Sequence, residues 1–248
     1  MNRERIRIFR EAARRIALAA ERPVFYGERA EEIAYAERLA ESSERVASAR
    51  SVMRESGGAL GHGIDHAHRV AIEAGAIVRC EMRPGPDCDR LAENALIAGY
   101  LHDIKRGEKR HAEAGADFAA EFLRGRLDPA DSAMIVFTIR NHEAFRDNES
   151  ASAPGAALVS GALYDSDKFR WGPDNFTDTV WDMAEAMSID PLLIIDHYEQ
   201  GVLGIMKIRD TFRTDTGKRY GPDFIDRGLL IGERLVARFR ENMDIFPR

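Results

Sequence analysis

Apolar residues recur at three- and four-residue spacing from one end of this chain to the other, and strand signals are almost absent. A chain patterned in this way buries its apolar stripes by packing helix on helix. The sequence therefore predicts an all-α helical bundle. Helix starts are marked by local chemistry. Asp128-Pro129-Ala130-Asp131 offers an N-cap, a proline at the first helical position and an acid in the first turn, and Asp190-Pro191 repeats the device. Gly125 can close the helix before Asp128. The expected helices run over 3–21, 28–55, 64–80, 90–104, 110–124, 129–143, 155–168, 175–188, 191–208 and 222–241, with loops at 83–87, 146–154 and 213–221. No repeat, low-complexity tract or linker divides the 248 residues. One domain is expected over 1–248, with a helical extension at 1–55, a core at 56–170, and helices over 171–248 packed on that core.

Composition narrows the function classes. Hydrophobic residues make up 44% and charged residues 31%, enough to build a large core without covalent staples. Cys80 and Cys88 cannot make a disulfide framework, and they read as reduced thiols of a cytoplasmic protein. Thirty-six basic residues against 42 acidic ones leave a net charge of −6, so duplex nucleic acid is not an expected partner. A small anionic substrate needs only a local basic pocket. No apolar run approaches the roughly 20 residues of a membrane span, so no membrane partner is expected. Met1 to Arg22 intersperses Arg and Glu with apolar positions and reads as an amphipathic helix, not a signal peptide. Association with further copies of the chain is left open.

Seven histidines and their neighbouring acids carry the chemical argument. In Gly61-His62-Gly63-Ile64-Asp65-His66, His62 and His66 stand four apart and share a helical face, with His66 the candidate metal ligand and His62 its neighbour. A nearly apolar stretch, Leu96 to Leu101, ends in His102-Asp103. Burying that pair is costly unless it is bonded or metal-bound, and imidazole with carboxylate is the usual donor set for first-row divalent metals. Asp165-Ser166-Asp167-Lys168 closes another apolar pattern, and residues two apart point to different sides, so only one of the two acids can reach a given metal. His142 and His111 each stand at the end of an apolar helix face, where a satisfied core histidine is the ordinary outcome.

Taken together, the order His, His-Asp, Asp at the ends of successive helices resembles the HD-domain superfamily of metal-dependent phosphohydrolases. His62-x-x-x-His66-x-x-Arg69-Val70 is similar to that family's opening motif. Tyr100-Leu101-His102-Asp103-Ile104 resembles its defining doublet. Ile139 to His142 is similar to the helix end that carries a histidine in many members, and Tyr164 to Phe169 resembles the closing Asp-x-Asp-Lys motif. The resemblance covers roughly 60–170. The sequence departs from it at Gly63, where Asp is common, and at Ser166 and Phe169, where Ala and Leu are.

The resemblance implies that His66, His102, Asp103 and Asp167 hold a divalent metal ion, one of Mn, Fe, Mg, Ni or Zn, with Asp165 close behind. It also implies cleavage of a phosphoester or phosphoanhydride in a small, nucleotide-like phosphorylated substrate, by a water that the metal activates. Arg69, Lys168 and Arg140 are the expected phosphate contacts, whereas Lys105, Arg106 and Arg170 read as surface charges. His142 and His111 are expected to orient water or a phosphate oxygen around a single metal, because eight residues from Asp103 leave little chain for His111 to return to it. If both bound metal, the centre would be binuclear and a di-iron oxygenase of the same superfamily would become the competing reading. A non-catalytic sensor of nucleotide or metal is the third.

Overall fold

A computed structural model describes residues 2–57, 62–146, 150, 151 and 153–241. Gly61 of the opening motif and part of the loop expected at 146–154 lie outside the described residues. Among them the chain forms α1 (Asn2–Leu18), α2 (Phe25–Glu28), α3 (Ala30–Ser42), α4 (Glu44–Ser56), α5 (Ile64–Glu81), α6 (Pro86–Leu101), α7 (His111–Leu123), α8 (Pro129–Arg140) and α9 (Pro154–Phe169). A π-turn at Asn175–Thr179 leads into α10 (Val180–Ala186), α11 (Pro191–Asp196), α12 (Tyr198–Ile208) and α13 (Asp215–Glu241). There is no strand among the described residues, and none of their helices is long and apolar enough to cross a membrane. The all-α expectation holds.

The centre of the molecule is the pair α5 and α6, flanked by α9, α3 and α4. Small residues let the pair approach: Ala67, Ala71 and Ala74 of α5 and Ala92, Ala95 and Gly99 of α6 are all buried. The approach is so close that a Cβ on Gly99 would stand 2.4 Å from the Ala71 Cα. This crossing also places the two histidines, since His66 lies five residues before Ala71 and His102 three after Gly99. Gly99→Ala forces backbone apart, because the clash is with main chain and not with a mobile side-chain tip. It should cost about 3 kcal/mol in denaturant unfolding, at the upper end for overpacking. Unfolding within a few tenths of wild type would contradict the tight crossing.

A second, smaller core lies elsewhere. Phe9 of α1 stacks on Phe239 of α13 with ring centroids 3.6 Å apart and tilts against Trp181 of α10 at 5.5 Å. The first 55 residues are therefore divided: α1 packs on the C-terminal helices, while α3 and α4 pack on α5 and α6.

Several expected boundaries are corrected. The helix expected over 28–55 breaks at Ser43, whose backbone is extended and whose Oγ accepts from the Val46 N–H at 3.1 Å, capping a new helix. The helix expected over 191–208 breaks at His197. Pro86 opens α6 instead of lying in a loop. The stretch 213–221 is helical from Asp215 onward, with Pro222 inside α13. Its glycines are packing residues: a Cβ on Gly217 would meet the Asp165 carboxylate and one on Gly221 the Phe212 ring.

Candidate metal centre

Helix ends converge on one point. His62 stands just before α5 and His66 in its first turn. His102 and Asp103 follow the last residue of α6, and His111 opens α7. His142 lies two residues beyond α8, and Asp167 with Lys168 sits in the last turn of α9. The imidazoles and carboxylates are buried or nearly so.

Asp103 is the hub. Its Oδ2 lies 3.3 Å from His102 Nε2 and 3.8 Å from Nε2 of both His66 and His62. Its Oδ1 lies 3.5 Å from Nε2 of both His111 and His142. Asp167 Oδ1 completes the first side, 3.6 Å from His66 Nε2 and 3.8 Å from His102 Nε2. The donor atoms fall into three overlapping sets: His62, His66 and Asp103; His66, His102 and Asp167; and Asp103, His111 and His142.

The rings are fixed by what their other nitrogens bond. His102 Nδ1–H donates to the Gly99 carbonyl at 2.8 Å, and His142 Nδ1–H to the Ile139 carbonyl at 2.6 Å. A carbonyl can only accept, so Nδ1 carries the hydrogen in each bond and Nε2 is the nitrogen left facing the cluster. His102 Nε2 then stands 3.3 Å from His66 Nε2. Burial, with His102 and His62 alongside, holds His66 well below its usual pKa, so that ring is neutral. Burial also lowers His111 to about 4. For the two carboxylates burial works upward but is outweighed, by His102 and His142 at Asp103 and by Lys168, His102 and His66 at Asp167, and both stay ionised. Asp103 Oδ1 is buried without a hydrogen-bond partner. Inward-facing imidazole nitrogens, ionised carboxylates and an orphaned carboxylate oxygen are the donor set a divalent cation needs, so the residues fit a metal.

A cavity of about 310 Å³ opens on this cluster. Of the expected phosphate contacts, Lys168 lines it, with Nζ 2.5 Å from Asp167 Oδ2 and 3.2 Å from the His142 carbonyl. Arg69 and Arg140 are corrections. Arg69 turns to Asp174 at 3.6 Å and lines a different cavity. Arg140, the last residue of α8, reaches Asp117 at 3.4 Å on the surface. Arg106, which the sequence placed on the surface, lines the cavity with Nη1 2.9 Å from His111 Nε2. Arg170 is buried in an ion pair with Glu73. Eight residues are enough to bring His111 back to Asp103, with Nε2 3.5 Å from Oδ1. Successive turns, with Ile104 N–H donating to Leu101, Arg106 N–H to Asp103 and Glu108 N–H to Lys105, fold the chain straight back.

Asp165 is not brought to the cluster. Its two oxygens accept from the Arg213 and Thr214 N–H groups, each at 2.8 Å, and from the Thr214 hydroxyl at 2.7 Å, tying the segment before α13 to α9. Burial raises its pKa to about 6 even against those hydrogen bonds. Asp165→Ala leaves these donors buried and unpaired, so it should lose about 3 kcal/mol of stability with unchanged metal content. Metal loss without unfolding would return Asp165 to the centre.

No protein-family model matches the sequence, and no curated protein matches it significantly. Among solved structures, a predicted HD superfamily hydrolase from an uncultured Thermotogales bacterium aligns with 82% of this chain and 98% of its own, at a TM-score of 0.52 and 22% identity. The chain has the HD-domain fold, and its buried His/Asp cluster fits the HD motif.

Proposed function

We propose that this chain is a metal-dependent phosphohydrolase whose centre holds two divalent cations sharing Asp103. The observation that carries the reading is the division of that one carboxylate, Oδ2 toward His62, His66 and His102 and Oδ1 toward His111 and His142. Cations held there would supply a lowered pKa for a water molecule and positive charge beside a phosphoryl group.

The remaining work falls to the chain. Lys168 Nζ and the Arg106 guanidinium face the cavity beside the cluster and can neutralise phosphate oxygens, the guanidinium as a planar two-pronged donor. Glu143 Oε1 lies 3.9 Å from His111 Nδ1, on the side opposite the cluster, where it favours a proton on Nδ1 and a free Nε2. The mouth is rimmed by Phe145, at positive φ, and Trp171, both partly exposed, with Asn175 and Thr179 beside them. Flat aromatic faces with amide and hydroxyl groups suit a planar, hydrogen-bonding substituent on the phosphate, such as a nucleobase. The cavity is at the low end of the roughly 300–1,000 Å³ of ligand pockets, the size for one nucleotide and not a polymer.

The test is release of inorganic phosphate in the presence of Mn²⁺, Mg²⁺, Fe²⁺, Ni²⁺ or Zn²⁺, from nucleoside monophosphates and from glycerol phosphate. Nucleoside phosphates should be preferred, and Phe145→Ala should raise their KM roughly tenfold, the loss of one stacking contact, with little effect on glycerol phosphate. No release with any metal rejects the reading. The reach of both His111 and His142 to Asp103 also favours a second reading, a di-iron oxygenase. It would show as oxygen consumption by the iron-loaded protein without phosphate release.

A further inference from the structure

Arg106 stands where its charge has two uses, and it can serve only one at a time. Its backbone lies in the turns between α6 and α7, with its N–H donating to the Asp103 carbonyl at 2.9 Å. Its side chain comes back over the cluster, Nη1 2.9 Å from His111 Nε2 and 3.7 Å from Asp103 Oδ1. Those two atoms, with His142 Nε2, would be the donor set of the second cation. A guanidinium never gives up its proton in a protein, so it donates to His111 and cannot become neutral. The imidazole Nε2 has a single lone pair. A cation on that nitrogen and the Arg106 hydrogen bond are mutually exclusive.

We propose that Arg106 is a displaceable counter-ion of the second half of the centre: it competes with the second cation for His111 Nε2 and, once displaced, binds the substrate's phosphate. The inference rests on the two-cation reading above. Three features make the exchange easy. As acceptor from Arg106, His111 already carries its proton on Nδ1, the tautomer a cation requires, so the ring need not turn over. The Arg106 side chain is 29% exposed, so it has room to swing into the cavity it already lines. Displacement also puts two like charges side by side, which drives the guanidinium away from the cluster and toward an anion. On the first half of the centre the neighbouring ammonium, Lys168, bonds Asp167 Oδ2 and the His142 carbonyl and not an imidazole nitrogen.

Competition at one nitrogen makes the two cations bind unequally. Coupling through Arg106 makes phosphate and the second cation help each other, by linkage. Calorimetric titration of the full-length, metal-free protein with Mn²⁺, with and without saturating inorganic phosphate, reads both effects. Wild type should show a tight and a weaker site, the weaker one tightening when phosphate is present. In Arg106→Met the weaker site should tighten by roughly tenfold or more without phosphate, the worth of a hydrogen bond to a charged group. The tight site should not change, and phosphate should no longer help. Arg106→Gln, which keeps an N–H donor but no charge, should fall between the two. His142→Ala identifies the weaker site by removing it. Two ions in both proteins with a weaker site that does not tighten in Arg106→Met overturns the proposal and leaves the two-cation reading standing. One ion in both overturns the two together.

Discussion

Asp103→Asn should hold neither cation tightly and should turn over phosphorylated substrates at least roughly 10³-fold more slowly, a loss of about 4 kcal/mol of transition-state stabilisation. The size of the effect follows from position. Every other candidate ligand serves one side of the cluster, whereas Asp103 presents one oxygen to each. The amide has nearly the same shape, so the site is not emptied, but it brings no negative charge among five histidines and can ligate through one oxygen only. Metal content by atomic emission and phosphate release measured on the same preparation check the prediction. A variant that keeps its cations and more than a tenth of its turnover would remove Asp103 from the centre of the argument.

The second large effect is on stability. Arg170 and Glu73 are almost fully buried, their side chains 5% and 4% exposed, and they pair at 2.5 Å. The Tyr26 hydroxyl also donates to Glu73, at 2.6 Å, and Asp174 takes another face of the guanidinium. The pair joins α5, which carries His66, to the residue that follows α9, which carries Asp167. Arg170→Met leaves a buried carboxylate without its cation, and breaking such a pair from one side costs about 3–5 kcal/mol. The melting temperature should fall by roughly 10 °C for a chain of this size. Burial already pushes the Glu73 pKa upward, and losing Arg170 pushes it further. A carboxyl raised in the folded state adds stability below its unfolded pKa and loses it as pH rises through the folded one, so the deficit should narrow toward acid pH. Adding Glu73→Leu should recover much of the loss, since an apolar pair replaces a broken ionic one. A single variant within 1 kcal/mol of wild type would contradict the reading, as would a double variant no better than the single.

Much of this architecture is written in local patterns, and the exceptions have identifiable causes. The three- and four-residue periodicity locates the helices because each must bury one stripe. It does not see the break at Ser43, since the apolar stripe continues across it and only the side-chain cap marks the interruption. Gly217 and Gly221 read as a loop from their intrinsic preferences. In the fold the glycines are there because a carboxylate and an aromatic ring touch the helix, a tertiary cause that composition does not carry.

The site divides in the same way. His66, His102, Asp103 and Asp167 converge because each stands at a helix end and those ends meet, which order along the chain can convey. Arg69, Arg140 and Arg106 could not be sorted by spacing. A long side chain can turn to several partners from one backbone position, and each is settled by its neighbour: Asp174, Asp117 and His111. His62 was legible only as a neighbour, because its approach to Asp103 depends on the extended chain just before α5. For His111, eight residues from Asp103 look like a short span in sequence, whereas consecutive turns reverse the chain within it.

The most direct test of a shared-carboxylate, two-cation centre is metal stoichiometry at equilibrium, by dialysis against Mn²⁺ followed by metal analysis of wild type and His142→Ala. His142 Nε2 approaches Asp103 on its Oδ1 side, and its ring is locked by the Ile139 carbonyl, so its loss should empty one position and spare the other. The expected result is two ions per chain in wild type and one in His142→Ala, with helical content unchanged. One ion in wild type that His142→Ala leaves in place would contradict the account.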